Sequence, residues 1–119
     1  MSEDIFDAII VGAGLAGSVA ALVLAREGAQ VLVIERGNSA GAKNVTGGRI
    51  YAHSLERIIP GFAEQAPVER MITHEKLAFM TDNGAMTVDY LNGEEAAPSQ
   101  VSYSVLRSKF DTWLMEQAE

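Results

Sequence analysis

Glycines at positions 12, 14 and 17 lie between two short β-branched runs, an arrangement that narrows the folds open to this chain more than any other feature. Ile5 to Val11 is apolar, rich in isoleucine and valine, and stopped by Gly12, which reads as a buried strand. From Leu15 to Glu27 the composition turns to Ala, Leu and Val with no breaker after Gly17. Such a stretch predicts a helix, apolar almost all round and therefore packed on a sheet. Gly28 supplies the left-handed residue that commonly ends a helix. Val31 to Ile34 is a second β-branched run, and Glu35 follows it directly. Strand, helix and strand fall within residues 5–35, the size of a right-handed βαβ crossover.

Each glycine answers a separate physical demand. Gly12 permits the sharp turn out of the strand, Gly14 lets a pyrophosphate approach the backbone, and Gly17 lets the helix lie close on the strand. The phosphates then meet free N–H groups and the positive end of the helix dipole. The expected phosphate loop is Gly12-Ala13-Gly14-Leu15-Ala16-Gly17. Glu35 stands 18 residues after Gly17, at the tip of the second strand, where a carboxylate accepts hydrogen bonds from ribose hydroxyls. The same carboxylate repels a 2′-phosphate, which disfavours NADP against FAD or NAD. Arg36 softens that repulsion without removing it. Three spaced glycines alone are weak evidence; the strand before them, the helix after them and the second strand ending in Glu make the motif specific.

The remaining composition mainly excludes. A chain of 119 residues is one domain at most. Its net charge of −7 would repel a nucleic-acid backbone. Without cysteine it has no disulfide, thiol nucleophile or thiolate metal site. His53 and His74 share no metal-ligand spacing and read as surface or hydrogen-bonded residues, so no metal site is expected. The 18 residues from Ala8 to Ala25 carry no charge and approach the length of a bilayer span. Their acidic flank (Glu3, Asp4, Asp7) and their glycines favour a buried soluble βα unit instead.

Beyond Arg36 a glycine-rich polar loop is expected over residues 37–51, with Gly47-Gly48 allowing main chain to pass close to a flat ligand. A short helix follows from Ala52 to Ile59, stopped by Pro60-Gly61. Lys76 to Thr81 and Met86 to Tyr90 read as an antiparallel hairpin inserted into the α/β pattern, and Asn92 to Gln100 as a loop. After the β-favouring run Val101 to Val105, a helix is expected over residues 106–118, with Phe110, Trp113, Leu114 and Ala118 on one face. Met71, Met80, Met86 and Met115 are expected to fill the core.

Asp7 to Arg36 resembles the opening of glutathione-reductase-type FAD enzymes, and Val105 to Leu114 resembles the Arg-led helix of their hydroxylase-like branch. Asn44 to Tyr51 is similar to the flavin-facing loop of the electron-transfer-flavoprotein:quinone oxidoreductases, FixC-type flavoprotein dehydrogenases in particular, and the similarity runs along the whole chain. The resemblance implies a Rossmann-like α/β fold with FAD as cofactor, and Arg107 reaching FAD from the side opposite Glu35. It also implies electron transfer between an electron-transfer flavoprotein and a quinone or other acceptor. Enterobacterial members are associated with anaerobic carnitine metabolism and a ferredoxin-like partner, and the location implied is cytoplasmic, peripheral to the inner membrane face. Family members are several times longer, so residues 1–119 are expected to be the N-terminal part of an incomplete FAD-binding domain. No residue in it is named as catalytic.

Two other functions stay open on the residues themselves: an NAD- or ADP-binding module without redox chemistry, and a truncated piece that binds nothing. The hairpin at 76–90 and Arg107 favour FAD, because a plain NAD domain continues with alternating β and α elements. Two parallel strands alone leave sheet edges open, so a fragment of this kind is expected to self-associate.

Overall fold

The structure, a computed structural model, describes residues 5–93 and 96–119. Glu3 and Asp4 of the acidic flank, and Glu94 and Glu95 of the polar loop, lie outside the described residues. The chain opens with strand β1 (Ala8–Val11), helix α1 (Leu15–Arg26) and strand β2 (Val31–Ile34). β1 and β2 pair in parallel, Ala8 opposite Val31 and Val11 opposite Ile34. The expected βαβ unit is therefore present, with β1 starting three residues later than Ile5. Gly28 has φ +86° just past the helix, the left-handed residue that ends α1. The uncharged stretch is divided between a strand, a turn and a 12-residue helix, and among the described residues no helix is long and apolar enough to cross a membrane.

Next come β3 (Gly47–Tyr51), α2 (Ala52–Ile58), a 3-10 turn at Phe62–Glu64 and β4 (Val68–Ile72). β5 (His74–Thr81) and β6 (Gly84–Leu91) form the hairpin, and after a second 3-10 turn the chain ends with β7 (Ser102–Leu106) and α3 (Arg107–Glu116). β7 is the centre of a three-stranded antiparallel sheet, with β3 on one side and β4 on the other. The last five residues of the expected 37–51 loop are thus strand. Gly47 and Gly48 pair with Leu106 and Val105, an extended conformation that glycine tolerates but does not announce. β4 carries Glu69 and Arg70 in its middle, so its sequence lacks the alternation that marks a strand; β7 recruits it by pairing.

The main core lies where this sheet meets the helices. Ala52, Leu55, Phe62, Ala66, Val101, Val105, Phe110 and Leu114 are buried together. Phe62 sits edge-on to both Tyr103 and Phe110, at 5.9 and 6.4 Å between ring centres, a geometry that adds to the area the rings bury. Phe110 and Leu114 face this core as expected, with Trp113 packed beside them. α1 joins the core through Leu15 and Val19, and its buried Ser18 reaches the Met115 sulfur on α3.

Three methionines are not core residues. Met71, Met80 and Met86 are 51%, 78% and 62% exposed. Met80 and Met86 lie on the hairpin, whose strands, among the described residues, pair only with each other and are exposed along their length. Strand alternation places Leu77, Phe79, Met86, Val88 and Tyr90 on one of its faces, and no other element among the described residues covers them. α1 covers one face of the β1–β2 pair, while Ile9, Val11 and Ile34 on the other are open. The molecule is elongated, 70 Å in its longest dimension.

Candidate cofactor site

The turn between β1 and α1 takes the conformation the glycines predict. Gly12 has φ +102°, a value side chains rarely adopt, and its N–H donates to the Ile34 carbonyl at 2.7 Å, tying the turn to β2. A Cβ on Gly17 would stand 1.9 Å from the Gly12 carbonyl oxygen, so the helix approaches the strand at a distance only glycine permits. Gly14 is the opposite case: a Cβ there would meet nothing within 4 Å. Packing therefore does not demand this glycine, and the space in front of it is open to a ligand.

Ser18 N–H makes the first backbone bond of α1, to the Gly14 carbonyl at 2.9 Å. Amides ahead of it, at Leu15, Ala16 and Gly17, have no acceptor within the helix and carry its positive dipole end. Leu15 and Ala16 contribute backbone; their side chains line an apolar groove of about 440 Å³ with Val19, Ile50, Leu55 and Phe110. Ala13 is buried, and its N–H donates to the Glu35 carboxylate at 2.9 Å.

Glu35 is half-buried and accepts a second hydrogen bond, from Gly37 N–H at 2.6 Å. These two amides, Gly37's more than Ala13's, hold its carboxyl below the usual carboxylate range. A carboxylate offers about four acceptor positions, so two remain for the hydroxyls of a ribose. Glu35 is thus fixed to the phosphate loop by a bond between the two halves of the motif, a link that spacing alone does not reveal. Arg36 is exposed beside it and points to no fixed partner among the described residues.

Gly47, Gly48 and Arg107 form a second cluster. β3 and β7 run side by side here, and a Cβ on Gly48 would stand 3.8 Å from the Arg107 side chain. Both glycines are exposed and leave the backbone of β3 approachable. Arg107 heads α3 but is not a free surface cation. Its Nε and Nη2 donate to both oxygens of Asp111, at 2.8 and 3.0 Å, and Asp111 is fully buried. The Asp111 hydrogen bond raises the Arg107 pKa above its already high ordinary value. Asn44 donates to the same carboxylate at 2.8 Å. Asp111 is absent from the sequence-derived candidates, although its spacing four residues after Arg107 fits a helical ion pair. Its burial depends on the loop folding over it.

Arg49 also acquires a role that its sequence position does not signal. It donates to Ser102 at 2.8 Å, pairs with Glu75 at 2.7 Å and lies over the Tyr51 ring, so it fastens the hairpin's base to the β3–β7 sheet. Among the described residues no His, Asp and Glu group is arranged to hold a metal ion.

The donor set fits a dinucleotide such as FAD: open space at Gly14, uncommitted amides at a helix start, and an ionised carboxylate one strand away. Two solved structures share the fold. The myxobacterial chondrochloren halogenase CndH, described as a variant of FAD-dependent halogenases, superposes with TM-score 0.75 at 20% identity, over 98% of this chain and 27% of its own. A geranylgeranyl bacteriochlorophyll reductase-like protein from Thermoplasma acidophilum gives 0.66 at 23% identity, over 95% of this chain and 27% of its own. Among curated relatives, Protein FixC of Salmonella typhi is 92% identical and that of Escherichia coli K12 is 87% identical, each across all 119 residues. The probable electron transfer flavoprotein-quinone oxidoreductase YdiS of Escherichia coli K12 is 64% identical over the same span. The chain covers 28% of the length of each of these relatives. Residues 7–110 match the family described as FAD dependent oxidoreductase. A match that runs from the edge of β1 into α3 leaves little of the chain outside it, and the chain belongs to the FAD dependent oxidoreductase family.

Proposed function

We propose that this chain builds the adenosine and pyrophosphate side of the FAD site in a flavin-dependent oxidoreductase that passes electrons between an electron-transfer flavoprotein and a quinone or similar acceptor. The observation that carries the cofactor part is Gly14, the motif glycine with open space where its side chain would be, at the start of a helix with unpaired amides. Electron transfer is supported by the names of the relatives that are 64% and 47% identical, both probable electron transfer flavoprotein-quinone oxidoreductases.

Bound FAD would supply the electron-carrying chemistry. The residues of this chain bind and orient it. The backbone of Gly12 to Gly17 receives the pyrophosphate, and Glu35 accepts from the ribose while rejecting a 2′-phosphate. Arg36 flanks the adenosine end, and Gly47 and Gly48 let the strand approach the flavin end. Arg107 reaches the cofactor from the side opposite Glu35. A ferredoxin-like partner, a place in anaerobic carnitine metabolism and a peripheral position on the inner membrane face rest on the resemblance of Asn44 to Tyr51 and adjoining segments.

The test is the visible spectrum of the longest natural form, purified as wild type and as Gly14→Val. A yellow wild-type protein and a colourless, folded variant are expected, because a valine side chain takes the pyrophosphate's place. A colourless wild type that binds NAD would replace the FAD reading with that of a nucleotide module. A Gly14→Val protein carrying a full complement of flavin would show that the phosphate loop lies elsewhere.

A further inference from the structure

Asp111 has no part in the dinucleotide motif, yet it joins the two halves of the candidate site. It is 0% exposed, and its oxygens accept from Arg107 Nε and Nη2 and from Asn44 Nδ2. The loop that carries Asn44 is pressed onto this point. Gly41 has φ +73°, and a Cβ on it would lie 2.7 Å from the Asp111 Cβ and 2.9 Å from the Arg107 carbonyl oxygen. The next residue of α3, Thr112, donates through Oγ1 to the Ala40 carbonyl at 2.9 Å. The loop's first residue is Gly37, whose N–H holds Glu35, and its far end runs into β3, where Gly48 lies against the Arg107 stem. A single buried carboxylate thus connects the Glu35 side of the site to the Arg107 side.

Such burial is expensive unless the charge is met by several donors in good geometry, and here three donors meet it. The pairing is bidentate, which fixes the plane of the guanidinium as well as its position. Two of the five Arg107 N–H groups are used, leaving three on the outer edge of the fork. A lysine at 107 could not be held in one plane this way.

We infer that Asp111 is a positioning residue for FAD binding, acting through Arg107: it orients the guanidinium so that its remaining N–H groups face the cofactor. This rests on the FAD reading above. The test is a double-mutant cycle in the full-length flavoprotein, with FAD affinity measured by flavin fluorescence at a temperature where every variant is folded. Asp111→Asn and Arg107→Ala should each raise the Kd for FAD by about tenfold, the loss of one charge-assisted contact. The double variant should do no worse than the more severe single one, because the two residues act as a unit. Val101→Ala loosens the core at the end of β7 opposite Arg107 and should leave the Kd within about twofold, which separates positioning from general loosening. If Asp111→Asn does not accumulate, Asn44→Ala weakens the carboxylate's anchorage and should raise the Kd about two- to fivefold. Additive effects in the cycle, or an unchanged Kd in Asp111→Asn or Asn44→Ala, overturn the inference. A wild type that binds no FAD overturns the FAD reading and this inference with it, so the two failures are distinguishable.

Discussion

Gly14 and Gly17 stand three residues apart in one motif and do different physical work. A Cβ at Gly17 would collide with the Gly12 carbonyl, so Gly17→Ala must push α1 off β1 and should destabilise the fold with or without ligand. Thermal unfolding of this chain without added FAD is the measurement, and an unchanged midpoint would contradict the close approach. Glu35 makes a further residue-scale prediction. Its carboxyl is held below the ordinary range by the Gly37 and Ala13 amides, so the stabilisation it supplies is present above the unfolded carboxylate pKa. It is lost as pH falls through the lowered folded value. Urea midpoints of wild type and Glu35→Gln should therefore differ at pH 7 and converge in strong acid. A difference that persists once Glu35 is protonated in both the folded and the unfolded wild type would mean that the amide bonds are not the source. Glu35→Ala in the full-length protein should also weaken FAD binding about tenfold or more, by removing a charged acceptor from the ribose.

The hairpin of β5 and β6 is held at its base rather than along its faces. Two strands without a third, or a helix to pack on, are marginal in water. Arg49 supplies the fastening through Glu75, Ser102 and the Tyr51 ring. Arg49→Ala should accelerate amide hydrogen exchange across residues 74–91 while leaving β1, α1 and β2 protected as before. Because Arg49 and Glu75 are both partly exposed, high salt should reproduce part of the effect in the wild type. Exchange that rises equally throughout the chain would show that Arg49 supports the whole fold instead. The β1–β2 pair is likewise one-sided, covered by α1 and open at Ile9, Val11 and Ile34.

Open faces on two separate sheets govern how the 119-residue chain behaves alone. Ile9, Val11, Leu77, Phe79 and Val88 are each more than half exposed, an arrangement that single folded domains seldom leave uncovered. The isolated chain should self-associate at micromolar concentration, with sedimentation showing species above the monomer. FAD should bind it weakly or not at all, since on the proposed reading Gly12 to Gly17 and Glu35 would grip only the adenosine and pyrophosphate portion. Stoichiometric, submicromolar binding by a monomer in a flavin-fluorescence titration would show that these residues suffice.

From sequence alone came the βαβ unit, the turn at Gly12 and the close approach at Gly17, the end of α1 at Gly28, and Glu35 as the carboxylate at the tip of β2. These are local: they follow from periodicity, from φ values only glycine tolerates, and from a fixed spacing between a helix start and the next strand. The hairpin was legible for the same reason, since its turn joins neighbouring segments. β4 and the strand character of Gly47 to Tyr51 were not, because both exist by pairing with β7, at least 30 residues later. Exposure of Met80 and Met86 also escaped the sequence, which marks a residue as apolar without saying whether a second layer covers it. Burial of Asp111 was likewise decided by tertiary structure. A carboxylate next to Phe110 is neither core nor surface until the Gly41–Asn44 loop closes over it and brings the donors that make its burial tolerable.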